Sequence, residues 1–463
     1  MKTSILTDRN ALLAIAVFGI LQAFYNIMLP LHPDEAYYWL WSVYPELSYY
    51  DHPPMVAWII WPFTLFGDSE FTVRLAAVFC MSGASVYMYL LTRDVFSRET
   101  AWLALLVSAT LPSTNMGYTI ITPDAPLILF WAASAYHSYK AVFRGSWTDY
   151  MLTGVMLGGL MLSKYTSVLY MGSLFIFVLL KRPKLFISVK PWAAVVVAFI
   201  VFSPVIIWNM QNEWLSFSFQ YAHGTGNTFR SKYLVEFIAG LFVVFTPVYF
   251  AILLRYFFDV KDWFKNDRYF FVMVSCLFPL LFFLYKGMFK RMELNWAAIA
   301  FITGTAVFAH AVQRYKLKKT FIAGAVLAFT MTFVVKFSNL LPLPPNLNIH
   351  SRIQGYEQAV ERYESYIKPG DELFGGHLRI ASMIAFYVEG RTDVSIPIRE
   401  RFSQFDIWDK EKDFSKMEGL FLSEGDEYKK LKEVFSSVEL VERYVFRQEG
   451  LKEREFYIYR VKG

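Results

Sequence analysis

Apolar stretches long enough to cross a bilayer recur along the first 340 residues, and charged residues gather in the short segments between them. A span needs about 20 apolar residues, fewer where a short helix packs against others. On that rule helices are expected near 10–29, 70–91, 100–117, 123–143, 149–163, 166–181, 192–210, 233–257, 269–285, 294–313 and 319–340. That makes about eleven spans, within a range of about 10 to 13. Residues 54–66 are apolar but short and broken by Pro62, which suits an interfacial helix. Of the 463 residues 56% are hydrophobic and only 18% charged. That balance fits a polytopic α-helical membrane protein and excludes an ordinary soluble domain. Cys80 and Cys276 lie inside apolar stretches, so no disulfide framework is expected, and no basic stripe or motif points to nucleic acid.

Lysine and arginine set the expected orientation. Lys2 and Arg9, Arg93 and Arg98, Lys140 and Arg144, and Lys181-Arg182-Pro183-Lys184 fall on one side. Arg255, Lys261, Lys265, Arg268 and the Arg314–Lys319 run follow on that same side, expected to be cytoplasmic together with the N-terminus. Residues 30–69, 118–122, 211–232, 286–293 and everything after about 341 then face outward.

From Pro342, Pro344 and Pro345 onward the chain changes character and charged residues become frequent. Strands are expected at 371–376, 419–422 and 456–461, and helices at 381–388 and 428–435. Two units follow: a transmembrane module over 1–340, with 30–69 as its outer loop, and a small outer-face α/β domain over 341–463.

The outer loop holds the most conspicuous chemistry. It reads His32-Pro33-Asp34-Glu35-Ala36-Tyr37-Tyr38-Trp39-Leu40-Trp41 and then Tyr49-Tyr50-Asp51-His52-Pro53-Pro54. Each acid has an ordinary explanation. Asp34-Glu35 could simply open a helix, where acids complement the dipole. Asp51 could sit in a proline-held turn, and Asp124 in the first turn of a membrane helix. Their convergence on one outer mouth weighs against coincidence, because acids at the end of an apolar bundle are costly unless used.

Cations on that side run against the general pattern. Lys286, Lys290 and Arg291 share one short outer loop, and Lys164 lies between two short spans. Snorkelling would explain Lys164 as readily as function; three cations in one outer loop make a local anion site. His223 and Arg230 lie in a polar segment suited to a lid, although a lone loop histidine is more often merely solvated. Carboxylates to serve as base, cations to hold a phosphate, and aromatic walls for a long chain together suit a sugar donor linked to a lipid phosphate.

These residues resemble the polytopic GT-C glycosyltransferases, in the branch of protein O-mannosyltransferases and lipid A aminoarabinose transferases (glycosyltransferase families 39 and 83). The matching pieces are His32–Trp39, Tyr49–Met55, Gly67–Leu75 and Thr122–Pro126, with Gly376–Phe386 and Arg401–Trp408 in the tail. The resemblance implies an inverting transferase in a bacterial inner membrane, its C-terminal domain periplasmic, taking a sugar from a polyprenyl-phosphate carrier. The implied acceptor is lipid A or another envelope lipid or glycan. By that likeness Asp34 is the first-loop acid, with Glu35 beside it, and Asp51 and Asp124 are further catalytic acids. Lys286, Lys290 and Arg291 would hold the donor phosphate, with Lys164 and His52 as further contacts. His52 stands where the aminoarabinose transferases carry lysine, and a histidine is a weak phosphate ligand at neutral pH. No cofactor is required; a divalent ion at Asp51, His52 and Asp124 is compatible with the ligand types, but no spacing demands it. Two alternatives stand beside this one: a protein O-glycosyltransferase of the same fold, and a lipid-linked sugar flippase. The flippase reading predicts midplane charges and repeated halves, and neither is visible in the sequence.

Overall fold

The computed structural model describes residues 6–224, 229–398 and 401–463, without the side chains of His223 and Gly224. Lys2, the His223 side chain and residues 225–228 of the expected lid lie outside the described residues.

The bundle begins with α1 (Asp8–Asn26), the loop helices α2 (Pro33–Val43) and α3 (Met55–Thr64), and the long α4 (Glu70–Val95). Next come α5 (Arg98–Thr110), α6 (Pro112–Thr119), α7 (Asp124–Arg144), α8 (Trp147–Ser163), α9 (Val168–Lys181) and α10 (Val189–Gln211). The helical region closes with α11 (Leu215–Gly224), α12 (Ser231–Phe245), α13 (Pro247–Phe257), α14 (Val260–Lys265), α15 (Asp267–Gly287), α16 (Leu294–Ala297), α17 (Ala300–Arg314) and α18 (Lys318–Lys336).

Among the described residues α4, α10, α15 and α18 are long and apolar enough to cross a membrane individually, and α12–α13 would pass as one bent pair. Several apolar segments are interrupted rather than continuous. The stretch expected as one helix over 233–257 is two, bent by 105° at Thr246. Pro247 explains the break: it lacks an N–H, and its ring drives the preceding residue out of the helical region. Thr246 accordingly takes φ 60° and ψ 149°, and its hydroxyl caps the new helix by accepting from the Tyr249 amide. Pro112 likewise separates α5 from α6 inside the stretch expected as one span over 100–117.

After the proline linker come α19 (Tyr356–Glu364), β1 (Glu372–Gly375), α20 (Leu378–Tyr387), β2 (Val394–Ser395) and α21 (Gln404–Trp408). Then follow β3 (Glu418–Ser423), α22 (Tyr428–Val434), β4 (Ser437–Phe446) and β5 (Arg454–Lys462). The sheet order is β2-β1-β3-β5-β4, parallel in its first three strands and antiparallel in its last three. Sequence periodicity placed β1, β3, β5, α20 and α22, and overlooked α19, β2, α21 and β4.

The tail rests on the 30–69 loop. Helix α20 packs on α2, and one hydrophobic core runs without interruption from Leu31, Tyr37 and Trp41 to Ile380, Leu420 and Phe456. Burying apolar surface across this junction stabilises it at roughly 25 cal/mol per Å². Whatever sits at the mouth of the bundle therefore sits beneath the sheet domain.

Candidate active site

Helix α2 is built to present its first turn. The His32 ring accepts from the Asp34 amide, the Glu35 carboxylate accepts from the His32 amide, and Pro33 fills the first turn, where a missing N–H costs nothing. Glu35 is wholly enclosed. Arg74 of α4 donates to it at 2.8 and 3.2 Å, and the Ile121 amide at 3.0 Å. The remaining Arg74 donors reach the carbonyls of Asn26, Leu29 and Pro30. With every bond directed into the scaffold, Glu35 locks α1, α2, α4 and the approach to α7 together, and its carboxylate is not open to a substrate.

The three aspartates are different. Each meets a cation from a distant part of the chain. Arg379 of α20 donates to Asp34 at 2.8 Å, Arg401 donates to Asp51 at 3.0 Å, and Lys164 donates to Asp124 at 2.8 Å. Tyr37 donates its hydroxyl to the second Asp51 oxygen at 2.7 Å, and Asn295 occupies the second Asp124 oxygen at 2.8 Å. Side-chain exposure separates them: 34% for Asp34, 8% for Asp51 and 14% for Asp124. Only Asp34 is substantially open.

Electrostatics ties the three into one site. The Tyr38 phenol is pushed well above its ordinary pKa, first by burial and then by the charges of Asp34, Asp51 and Asp124. Burial also raises the Asp51 carboxyl above its ordinary value, against the lowering effects of Tyr37 and Arg401. The His52 ring lies 6.3 Å from that of Tyr38 and is held well below its ordinary pKa, by burial first and then by Lys164 and Arg401. His52 is thus neutral, and its Nδ1 is buried without a hydrogen-bond partner among the described residues.

Lys164 is nearly buried and paired with Asp124, so it does not snorkel. Arg291 turns towards Glu236 at 3.9 Å and is largely exposed. Lys286 ends α15, Lys290 follows in the next turn, and that segment reaches the acids through Asn295. Arg230 is held at the backbone of Met288 and beside Tyr233. Among the described residues no three His, Cys, Asp or Glu side chains form a group that could hold a metal ion. Asp51 and Asp124 already spend their oxygens on Tyr37, Arg401, Lys164 and Asn295, an arrangement that does not fit a preformed cation site.

Sequence reasoning did not assign Arg379, Arg401 or Tyr38 to the site. Both arginines lie in tail segments that carry the family resemblance, and Tyr38 lies between the acids in sequence. The missing signal was spatial: Asp34 and Arg379 are 345 residues apart.

Comparison with known proteins now adds to the geometry. Residues 51–208 match the dolichyl-phosphate-mannose-protein mannosyltransferase family. The structure of ArnT from Cupriavidus metallidurans bound to undecaprenyl phosphate superimposes with a TM-score of 0.71, covering 96% of this chain and 97% of that one at 13% identity. The chain has the GT-C glycosyltransferase fold. A lipid A galacturonosyltransferase, RgtD, of Rhizobium johnstonii is 28% identical over 278 residues, 59% of this chain. The match spans 58% of that relative's length. An Archaeoglobus fulgidus oligosaccharyltransferase aligns at a TM-score of 0.53 and 10% identity, over 90% of this chain and 69% of its own.

Proposed function

We propose that this protein is an inverting glycosyltransferase that moves a sugar from a polyprenyl-phosphate carrier to lipid A or another envelope glycolipid on the outer face of its membrane. The observation that carries the reading is the ring of three aspartates, each paired with a cation, around Tyr38 and His52 at the bundle mouth. The match to the mannosyltransferase family and to a named lipid A glycosyltransferase supports it.

The chemistry asks for both signs of charge. The acceptor oxygen forms a bond to the anomeric carbon while the bond from that carbon to the carrier phosphate breaks, releasing the phosphate with the electron pair. Asp34, the most open acid, takes the proton of an acceptor hydroxyl; an ionised phosphate acceptor needs no base, and Asp34 then positions it. Lys164, held ready by Asp124, stabilises the leaving phosphate, and the 286–291 cations accompany the carrier. Two tail guanidinium groups, Arg379 and Arg401, suit a donor sugar bearing a carboxylate, such as the galacturonosyl group in the name of the relative.

Purified full-length protein incubated in detergent with polyprenyl-phosphate sugar and lipid A tests the reading by mass spectrometry of the product. Asp34→Asn is expected to reduce transfer by about 10²- to 10⁴-fold when the acceptor is a hydroxyl. Full activity in that variant would remove Asp34 from the chemistry. Absence of product with lipid A but transfer to a serine- or threonine-containing peptide would favour the protein O-glycosyltransferase, to which the family match at 51–208 lends weight. Chemical product of either kind excludes a pure flippase.

A further inference from the structure

His32 and Arg74 also line a cavity of about 160 Å³, whose other walls come from the end of α1, α6, the end of α18 and the 349–353 turn. Besides the Tyr25 phenol, its ionisable lining is His32, Arg74, Lys336, His350 and Arg352, and no carboxylate is among the lining residues described. Arg74 is neutralised by Glu35. Among the described residues Lys336 has no such partner. It is only 7% exposed, and its ammonium donates to the Gln22 amide oxygen and lies over the Tyr25 ring, 3.9 Å from the centroid. Arg352, at the rim, makes no ion pair or hydrogen bond among the described residues.

A buried ammonium without a counter-charge is unfavourable unless an anion completes its surroundings. The His32 imidazole is arranged to help. Nδ1 of His32 accepts the Asp34 amide, which leaves the proton of the neutral ring on Nε2 as a donor. Nε2 of His350 donates to the Lys336 backbone carbonyl at 3.1 Å, which ties the 349–353 turn to the end of α18. The rest of the lining is apolar and includes Leu29, Met116 and Val335. Near the cavity Ile27, Met28 and Leu340 turn apolar side chains outward, as expected of helix ends facing lipid chains.

We infer that this cavity seats the phosphate of a lipid headgroup, bound between Lys336 and Arg352, with the acyl chains along the outward faces of α1 and α18. The seat shares no lining residue with the three aspartates or their cations. Its occupant is a phosphate-bearing lipid other than the sugar donor.

The test is equilibrium binding to purified full-length protein without sugar donor, so that it reads independently of transfer. Dihexanoyl phosphatidate is the probe and dihexanoylglycerol the uncharged control. Saturable binding of the phosphatidate alone is expected, weakened about tenfold or more by Lys336→Gln, retained by Lys336→Arg, and reduced by Arg352→Gln. Binding by the control as tight as by phosphatidate, or affinity unchanged in both glutamine variants, would overturn the inference. If inorganic phosphate displaces the probe at equal affinity, the anion is free phosphate and the lipid assignment fails. Should Lys336→Gln not fold, the exposed Arg352→Gln decides alone, with unchanged affinity counting against the seat.

Discussion

Asp34 and Glu35 are adjacent in the chain, yet one faces the mouth of the site and the other is sealed beneath it. Burial makes the difference quantitative. Removing one partner of an enclosed ion pair leaves the other charge uncompensated, so Glu35→Gln should lower stability by about 3–5 kcal/mol, measured by thermal unfolding in detergent. Asp34→Asn should leave the unfolding temperature nearly unchanged. The two acids could not be told apart in the sequence because the deciding residue, Arg74, lies 39 positions away. His52 offers a second prediction. Its folded pKa lies below the ordinary value of 6.5, so below that pH the unfolded chain takes up a proton that the folded chain refuses. The stability associated with a neutral His52 is present above pH 6.5 and is lost as pH falls towards the folded pKa. Unfolding temperatures between about pH 8 and pH 5 should therefore fall less steeply in His52→Gln than in the parent protein. His32, also held low by burial, keeps some of the slope in that variant.

At the scale of elements, close helix contact depends on residues without side chains. Gly154 and Gly158 stand one turn apart on α8 against α10. A Cβ at Gly158 would come within 2.4 Å of the Val201 Cβ, and one at Gly154 within 2.6 Å of the Ala194 carbonyl oxygen. Small residues at this spacing let membrane helices approach closely. Gly158→Val should cost about 1–3 kcal/mol by overpacking, seen as a lower unfolding temperature. Hydropathy located the apolar segments well because bilayer thickness and burial both select the same residues. It located their interruptions poorly. The bend at Thr246 is local backbone chemistry at a proline, to which a window of apolar residues is blind. Strand β4 was missed for a related reason: its burial is irregular, and a bulge between Leu440 and Glu442 breaks the alternation.

For the whole molecule, the sheet domain is part of the site rather than an appendage. Arg379 and Arg401 reach down from it to Asp34 and Asp51. Although the Arg401 side chain is 55% exposed, it is the counter-charge of the 8%-exposed Asp51, so Arg401→Ala should lower the unfolding temperature as well as reducing transfer by about tenfold or more. Steady-state kinetics against donor concentration would show whether the loss falls on KM or kcat. The acids of this site were legible because Asp34 and Asp51 sit together in one loop and Asp124 opens a helix expected at the same mouth. Of the cations that pair with them only Lys164 was singled out: a single sequence carries no record of which tail arginine meets which acid, and that pairing emerges only from the packing of the tail on the loop.

Glu46 connects these scales. Its carboxylate accepts from the Trp208 indole of α10 at 2.7 Å, the Trp408 indole at 2.7 Å and the Gln404 amide at 3.0 Å. The loop, a membrane helix and the last quarter of the chain thus close on one side chain. A polypeptide made from its N-terminus supplies those donors in order, the tail's pair long after the loop has emerged. A chain cut short before Gln404 would therefore keep the Trp208 bond to Glu46 and lack the other two, so this carboxylate is fully satisfied only once the tail has been made and docked.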